Sequence, residues 1–329
     1  MPVSQANADL LLQHGITLKK ELKASSVIQL YNSNEDLRIS KNLYDKLLYA
    51  IGHASNNELH LPKIYFGIEF EFVGSALQND LTKFNLDMYK LLGTSFFSCI
   101  NSYQHNDGKF WLLGRDGSIH WPDSQLEHPY GYELSSPKLE LFNQDDIDTV
   151  SNVINLIKSD LRGEVNKTCG THVHIGFDCK GASREELQKL LYSYSNIENK
   201  VFDPIVPGSR RRNRYCGRTV SNTHSKYQKL SARYCEFDMF TKNCNNVHLE
   251  SRQLEGTLDF LTIYNWAILQ ASVLYDMFNI ITSRSVSFND YSASLVNKNI
   301  FDILFEYNFT KELRNFFIER AVKLKSRCI

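Results

Sequence analysis

The sequence predicts an α+β domain built on an antiparallel or mixed sheet. Several short segments alternate apolar and polar residues with the period of two that a strand requires, among them "KIYFGIEFEFVG" at 63–74 and "THVHIGFD" at 171–178. Longer segments instead space their apolar residues for one helix face, most clearly "NQDDIDTVSNVINLIKSDLRG" at 143–163. The two kinds are interspersed along the chain, as in α+β proteins.

Composition narrows the class further. A chain of 329 residues can bury one large core or two smaller ones. Its 37 basic and 37 acidic residues leave no net charge to favour nucleic acid or an anionic membrane. Hydrophobic residues at 42% and aromatic residues at 12% mark a folded protein. The seven cysteines (Cys99, Cys169, Cys179, Cys216, Cys235, Cys244 and Cys328) are odd in number and form no C-x-x-C pair. With no apolar signal segment at the start, a reducing cytoplasmic compartment is expected. The apolar run "LTIYNWAILQASVLYDMFNI" is interrupted by Asn265, Gln270 and Asp276, so a core helix is expected there and not a membrane span.

Residues 1–60 read as a helical extension. "NADLLLQHG" and "NEDLRISKNLYDKLLYAIG" each carry helically spaced apolar residues and end at a glycine. In the strand that follows, Phe66, Ile68, Phe70 and Phe72 share one face, and Gly67, Glu69, Glu71 and Val73 the other. "KFWLLGRDGSIHWP" is a strand entering a turn at Asp116-Gly117, and "YGYELSSPKL" a strand stopped by Pro137. Helix 143–163 has Asn143 as N-cap, Asp145 and Asp146 at the positive end of its dipole, and Gly163 to close it. Its stripe is Ile147, Val150, Val153, Ile154, Ile157 and Leu161. Ser183 and Glu186 form a capping box for a helix with Leu187, Leu190, Leu191, Tyr194 and Ile197 inward. "PGSRRRNRYCGR" is a basic loop, "NNVHLESRQLEGTLDF" holds another strand, and 258–329 is mostly helical.

Each chemically distinctive strand repeats one pattern, apolar on one face and polar on the other. Glu133 opposes Tyr132 and Leu134; His172 and His174 oppose Val173, Ile175 and Phe177; Glu250 and Arg252 oppose Val247 and Leu249. Singly, an E-x-E is a solvated edge, an H-x-H a pair of surface histidines, and an E-x-R a strand-face ion pair of small effect. Together on matching parity they gather Glu69, Glu71, Glu133, His172, His174, Glu250 and Arg252 on one sheet face. Four carboxylates cannot share a face at neutral pH without cations. Oxygen ligands with one imidazole suit Mg²⁺ or Mn²⁺ better than zinc. Arg210, Arg211, Arg212 and Arg214 crowd the basic loop. A solvated turn accounts for the first three; beside bound magnesium, such guanidinium forks clamp a transferring phosphoryl group. No phosphate-binding glycine loop of the Walker or kinase type is present.

The collinear order "GIEFEF … GRDGS … YELSSPKL … CGTHVHIGFD … RRNRYC … HLESRQLEGTLD", over about residues 63–260, resembles the amidoligase family. That family belongs to the carboxylate–amine ligase superfamily, with the glutamine-synthetase-like catalytic fold shared by glutamate–cysteine ligases. The resemblance implies a curved, mostly antiparallel sheet with helices on its outer face, an extension at 1–60 and a catalytic domain at 61–329. It also implies ATP, Mg²⁺ or Mn²⁺, phosphorylation of a carboxylate, and attack by an amine on the acyl phosphate. Glu69, Glu71, Glu133, His172 and Glu250 fall on metal-ligand positions, with Glu69 and Glu71 on different ions. His174 falls near the ATP phosphates, Arg252 on the arginine that stabilises the transferring phosphoryl, and Arg214 on a substrate- or phosphate-binding arginine. Asp116 matches an acid facing the amine; Glu255 matches a family acid without an arguable role. Ser251 departs from the apolar residue usual in E-x-R, and on the far face it is expected to weaken packing slightly.

The implied partners are a carboxylate and an amine, small or peptidic, with neither nucleic acid nor membrane. A homo-oligomer contact, a substrate lid and a partner site are all open to the extension. Two other readings stand beside the ligase: a metal-dependent amide hydrolase, since H-x-H also occurs in amidohydrolase barrels, and a non-catalytic binding protein on the same fold. The first needs more histidines and an earlier H-x-H; the second is disfavoured because Glu69, Glu71, His172 and Arg252 are all present.

Overall fold

The computed structural model describes residues 64–99, 108–179, 182–211, 237–239, 246–283, 287–296, 298–306 and 309–326. The helices expected in 1–60 and the arginines Arg212 and Arg214 lie outside these residues. Contacts divide the chain into two units: Ile64–Ile300 with Ala321–Ile329, which holds the sheet, and Met1–Lys63 with Phe301–Arg320.

The sheet has eight strands: β1 (Ile64–Ser75), β2 (Phe96–Cys99), β3 (Trp111–Arg115), β4 (Pro129–Ser135), β5 (Leu139–Glu140), β6 (Thr171–Asp178), β7 (Phe237–Met239) and β8 (Asn246–Ser251). Their order is β2-β3-β4-β1-β6-β8-β7, with β5 also on β1. Among the described residues only the β2–β3 pair is parallel. The α+β class and mostly antiparallel sheet are therefore as the sequence predicts. Pro137 does break the strand begun by β4. Ser136 bridges the gap, its Oγ accepting from the Ile68 N–H at 2.8 Å and its own N–H donating to Ile68 O at 2.8 Å.

Seven helices are described: α1 (Gln78–Leu92), α2 (Gln144–Asp160), α3 (Arg184–Ile197), α4 (Phe260–Ser283), α5 (Phe288–Val296), α6 (Ile300–Glu306) and α7 (Lys311–Ser326). Phe66, Ile68, Phe70 and Phe72 are at most 2% exposed. Burial of such a side chain contributes about 1.5–3 kcal/mol, which anchors the central strand from behind. Leu113, Leu134, Val173, Ile175, Phe177 and Leu249 extend the same apolar face. The core helix α4 covers part of it: Phe177 meets the rings of Tyr275 and Phe278 edge-on. Ser251 does not weaken this packing as expected. It is fully buried, and its Oγ accepts from Trp266 Nε1 at 3.3 Å, tying β8 to α4. Among the described residues no helix is long and apolar enough to cross a membrane.

The expected stripes of α2 and α3 are buried, except that Leu191 is only half-buried. Asn143 caps α2 by accepting from the Asp145 N–H at 2.9 Å, and Ser183 and Glu186 form their capping box. The end of α2 differs from expectation. Arg162, not Gly163, takes the left-handed conformation, with φ 51°. Its guanidinium offsets the backbone cost by reaching Asp80 Oδ2 at 2.6 Å and Ser75 Oγ at 3.1 Å. Gly163 is required for closeness: a Cβ there would lie 2.4 Å from Ile157 Cγ2.

Candidate active site

Strand register builds the site in three cross-strand rows on the face opposite the core. Gly114, Glu133 and Glu71 stand abreast on β3, β4 and β1. Next come Leu112, Ser135, Glu69 and His172 on β3, β4, β1 and β6. The third row is Gly67, His174, Glu250 and Asp238 on β1, β6, β8 and β7. Residues in register share a face, so alternation alone brings seven of these polar positions together. Val73 is on this face as expected, but it is buried, forming a small apolar cluster with Ile119 and Cys169 against which Trp121 and Leu126 pack. The segment after β3 thus closes over one end of the site. It brings in Asp116, whose Oδ1 accepts from the Ser118 N–H at 2.7 Å in an Asx turn.

The acidic side chains fall into two groups. Glu69, His172 and Glu250 form one and Glu71, Asp116 and Glu133 the other, each with ligating atoms all within 4.8 Å of one another. Glu69 and Glu71 therefore belong to separate groups, as the resemblance implies. His172 joins the two: its Nδ1 is 2.7 Å from Glu69 Oε2 and 3.6 Å from Glu250 Oε1, and its Nε2 is 3.3 Å from Glu71 Oε1. Asp116, which the resemblance puts facing the amine, stands in the second acidic group.

Charge is unevenly held across the face. Burial opposes ionisation of Glu69, but the His174 charge and hydrogen bonds from His172 and His174 outweigh it and hold the carboxyl well below the usual range. Burial pushes Glu133 well up, and the charges of Glu69, Glu71 and Asp116 push it further; Arg252 pulls back only in part. Burial works to lower His174, while Glu69, by charge and hydrogen bond, and Glu250 raise it on balance. A face that pushes one of its glutamates towards the neutral form lacks positive charge. Five carboxylates and one imidazole are a hard, oxygen-rich donor set, which fits Mg²⁺ or Mn²⁺.

The remaining candidates are placed as follows. Arg252 Nη2 lies 2.5 Å from Glu250 Oε1, beside the first group. His174 Nε2 is 3.2 Å from Glu69 Oε1, and its Nδ1 is 2.9 Å from Nε2 of the exposed His248. Glu255 forms an isolated bridge with Gly170, and Arg214 lies outside the described residues. Cys169 sits against this site, packed with Val73 and Ile119, and burial pushes its thiol up to about 11, against thiolate formation. Two placements escaped sequence reasoning. Asp238 lies in register with Glu250, and its signal is the alternation of "FDM", the pattern that exposed Glu71. Arg210, expected in a solvated loop, is 3% exposed; only the preceding Pro207-Gly208 turn hints that the chain folds back.

The family profile described as "Putative amidoligase enzyme" matches residues 62–239. No curated protein matches. Among solved structures, the complex between prokaryotic ubiquitin-like protein Pup and its ligase PafA is similar at 10% identity and a TM-score of 0.31. That similarity covers 80% of this chain and 65% of that one, so the chain spans less than two thirds of its length. The profile match takes in Glu69, Glu71, Asp116, Glu133, His172 and His174, and stops before Glu250 and Arg252. It spans more than half of the 329 residues, and the chain belongs to the amidoligase family.

Proposed function

We propose that the protein is an ATP-dependent carboxylate–amine ligase that works through an acyl phosphate. The observation that carries the reading is the pairing of two ligand groups on one sheet face, with Arg252 beside them. Glu69, His172 and Glu250 would hold one divalent ion, and Glu71, Asp116 and Glu133 a second. Bound there, Mg²⁺ or Mn²⁺ would neutralise phosphate oxygens and the charge that develops during phosphoryl transfer.

The chain's own groups supply the rest. A carboxylate is a poor electrophile with a poor leaving group, and phosphorylation by ATP corrects both faults. Arg252, held by Glu250, stabilises the transferring phosphoryl. His174 and Arg214 are proposed to bind the ATP phosphates. The amine arrives as an ammonium and must lose a proton before attack. Asp116 is proposed to bind that ammonium and take its proton, and its place beside Glu71 and Glu133 lets it serve as a ligand as well. The same proposal divides the chain into an extension at 1–60 and a catalytic domain from 61, and places the ligase in a reducing, cytoplasmic compartment suited to the buried thiols Cys169 and Cys179. The carboxylate substrate, small or peptidic, is not specified by the residues on this face.

The test is incubation with ATP, Mg²⁺ and a panel of carboxylates, with hydroxylamine in place of the amine. ADP release matched by hydroxamate is the expected result. Amide hydrolysis without ATP consumption would overturn the proposal.

A further inference from the structure

Arg210 ends the short turn Gly208–Arg210, closed by its N–H on Pro207 O at 2.9 Å. A buried guanidinium is costly unless its contacts compensate, and among the described residues its Nε has no hydrogen-bond partner. What the group touches is backbone belonging to the site. Nη2 donates to the carbonyl of Arg252 at 2.5 Å. The guanidinium also lies across Gly170, so near that a Cβ there would fall 2.5 Å from Nη2 and 2.9 Å from Cζ. Gly170 is in turn clamped to Glu71: its N–H donates to Glu71 Oε2 at 2.6 Å, and its carbonyl accepts from the Glu71 N–H at 3.1 Å. The guanidinium thus touches the Arg252 backbone on one side and lies beside the residue clamped to Glu71 on the other.

We infer that Arg210 is a positioning residue, which fixes the Glu71 carboxylate and Arg252 relative to each other by bracing Gly170 and the Arg252 carbonyl. A planar fork reaches both backbones at once; a lysine ammonium cannot. The inference rests on the proposed metal role of Glu71, Asp116 and Glu133. Groups that orient a metal ligand from behind typically change metal affinity by about 10–100-fold.

The test is manganese titration of the full chain, following free Mn²⁺ by electron paramagnetic resonance, with a thermal melt of each variant. The parent is expected to bind two ions. Arg210→Lys should stay folded, keep one ion at unchanged affinity and bind the other about tenfold or more weakly. Gly170→Ala keeps the arginine but displaces it, and should weaken the same ion. Because both act through one contact, the double variant should be little worse than either alone. Unchanged binding of both ions in the two folded variants overturns the inference and leaves the ligase proposal standing. Loss of folding in both makes the pair a structural brace and also overturns it. A parent that binds no manganese removes the metal reading and this inference together.

Discussion

Replacing Glu71 by glutamine separates a ligand role from a structural one, because the two make opposite demands on the carboxylate. Its Oε2 accepts the Gly170 N–H at 2.6 Å, a bond that an amide oxygen can also accept. The charge is a different matter. Burial and its neighbours push Glu133 towards the neutral form, so the repulsion taken here is with Asp116, whose ligating atom lies within 4.8 Å. At an effective dielectric of about 20, two such charges repel by about 3.5 kcal/mol or more. The neutral isostere relieves that repulsion and loses the 3.3 Å approach to His172 Nε2. The metal-free variant is therefore expected to be no less stable than the parent in a urea titration. Turnover should behave in the opposite way. Loss of a charged ligand removes about 4 kcal/mol of stabilisation from a transferring phosphoryl, or about a thousandfold in kcat at about 1.36 kcal/mol per decade. The assay is hydroxamate formation with ATP, beside the urea curve. A variant that unfolds, or one that turns over like the parent, would refute the reasoning, the first by making Glu71 a structural anchor.

Other expectations follow from the same geometry. The fold pushes the Glu133 pKa well above the ordinary glutamate value, so metal binding there competes with a proton. Metal uptake at Glu71, Asp116 and Glu133 should therefore release a proton and strengthen as pH rises towards the raised Glu133 pKa, shown by calorimetry in two buffers of different ionisation enthalpy. In the metal-free protein the native state binds more protons than the unfolded chain over that window. Stability should fall as pH rises from the ordinary glutamate range through the raised value, and Mn²⁺ should remove the loss; a flat profile would contradict the assignment. Ser251→Ala leaves the buried Trp266 N–H without its acceptor and should cost about 1–3 kcal/mol in urea unfolding, with metal binding intact. Arg252→Lys should bind ATP yet lose about a hundredfold or more in kcat.

Much of the site was legible because alternation is a strict rule in strands. Once Glu69 and Glu71 were seen to share a face, the same parity on β4, β6 and β8 found Glu133, His172, His174 and Glu250. Where contacts depend on a loop folding back, sequence patterns gave no such rule. Asp116 reaches the second acidic group through a turn, and Arg210 is buried by a turn that composition marks as solvated. Ser251 looked like a defect because its partner, Trp266, lies on a helix whose placement no local pattern reveals. The close of α2 was assigned to Gly163 from propensity, but a tertiary grip on the Arg162 side chain moved the left-handed residue by one position. Asp238 is obscured because β7 is only three residues long, too short for alternation to be read as a strand.

Manganese anomalous diffraction from soaked crystals tests most directly whether this sheet face holds two ions. Two peaks are expected, one among Glu69, His172 and Glu250 and the other among Glu71, Asp116 and Glu133. No peak at either group, or a single peak elsewhere on the sheet, would contradict the two-metal site on which the ligase proposal rests.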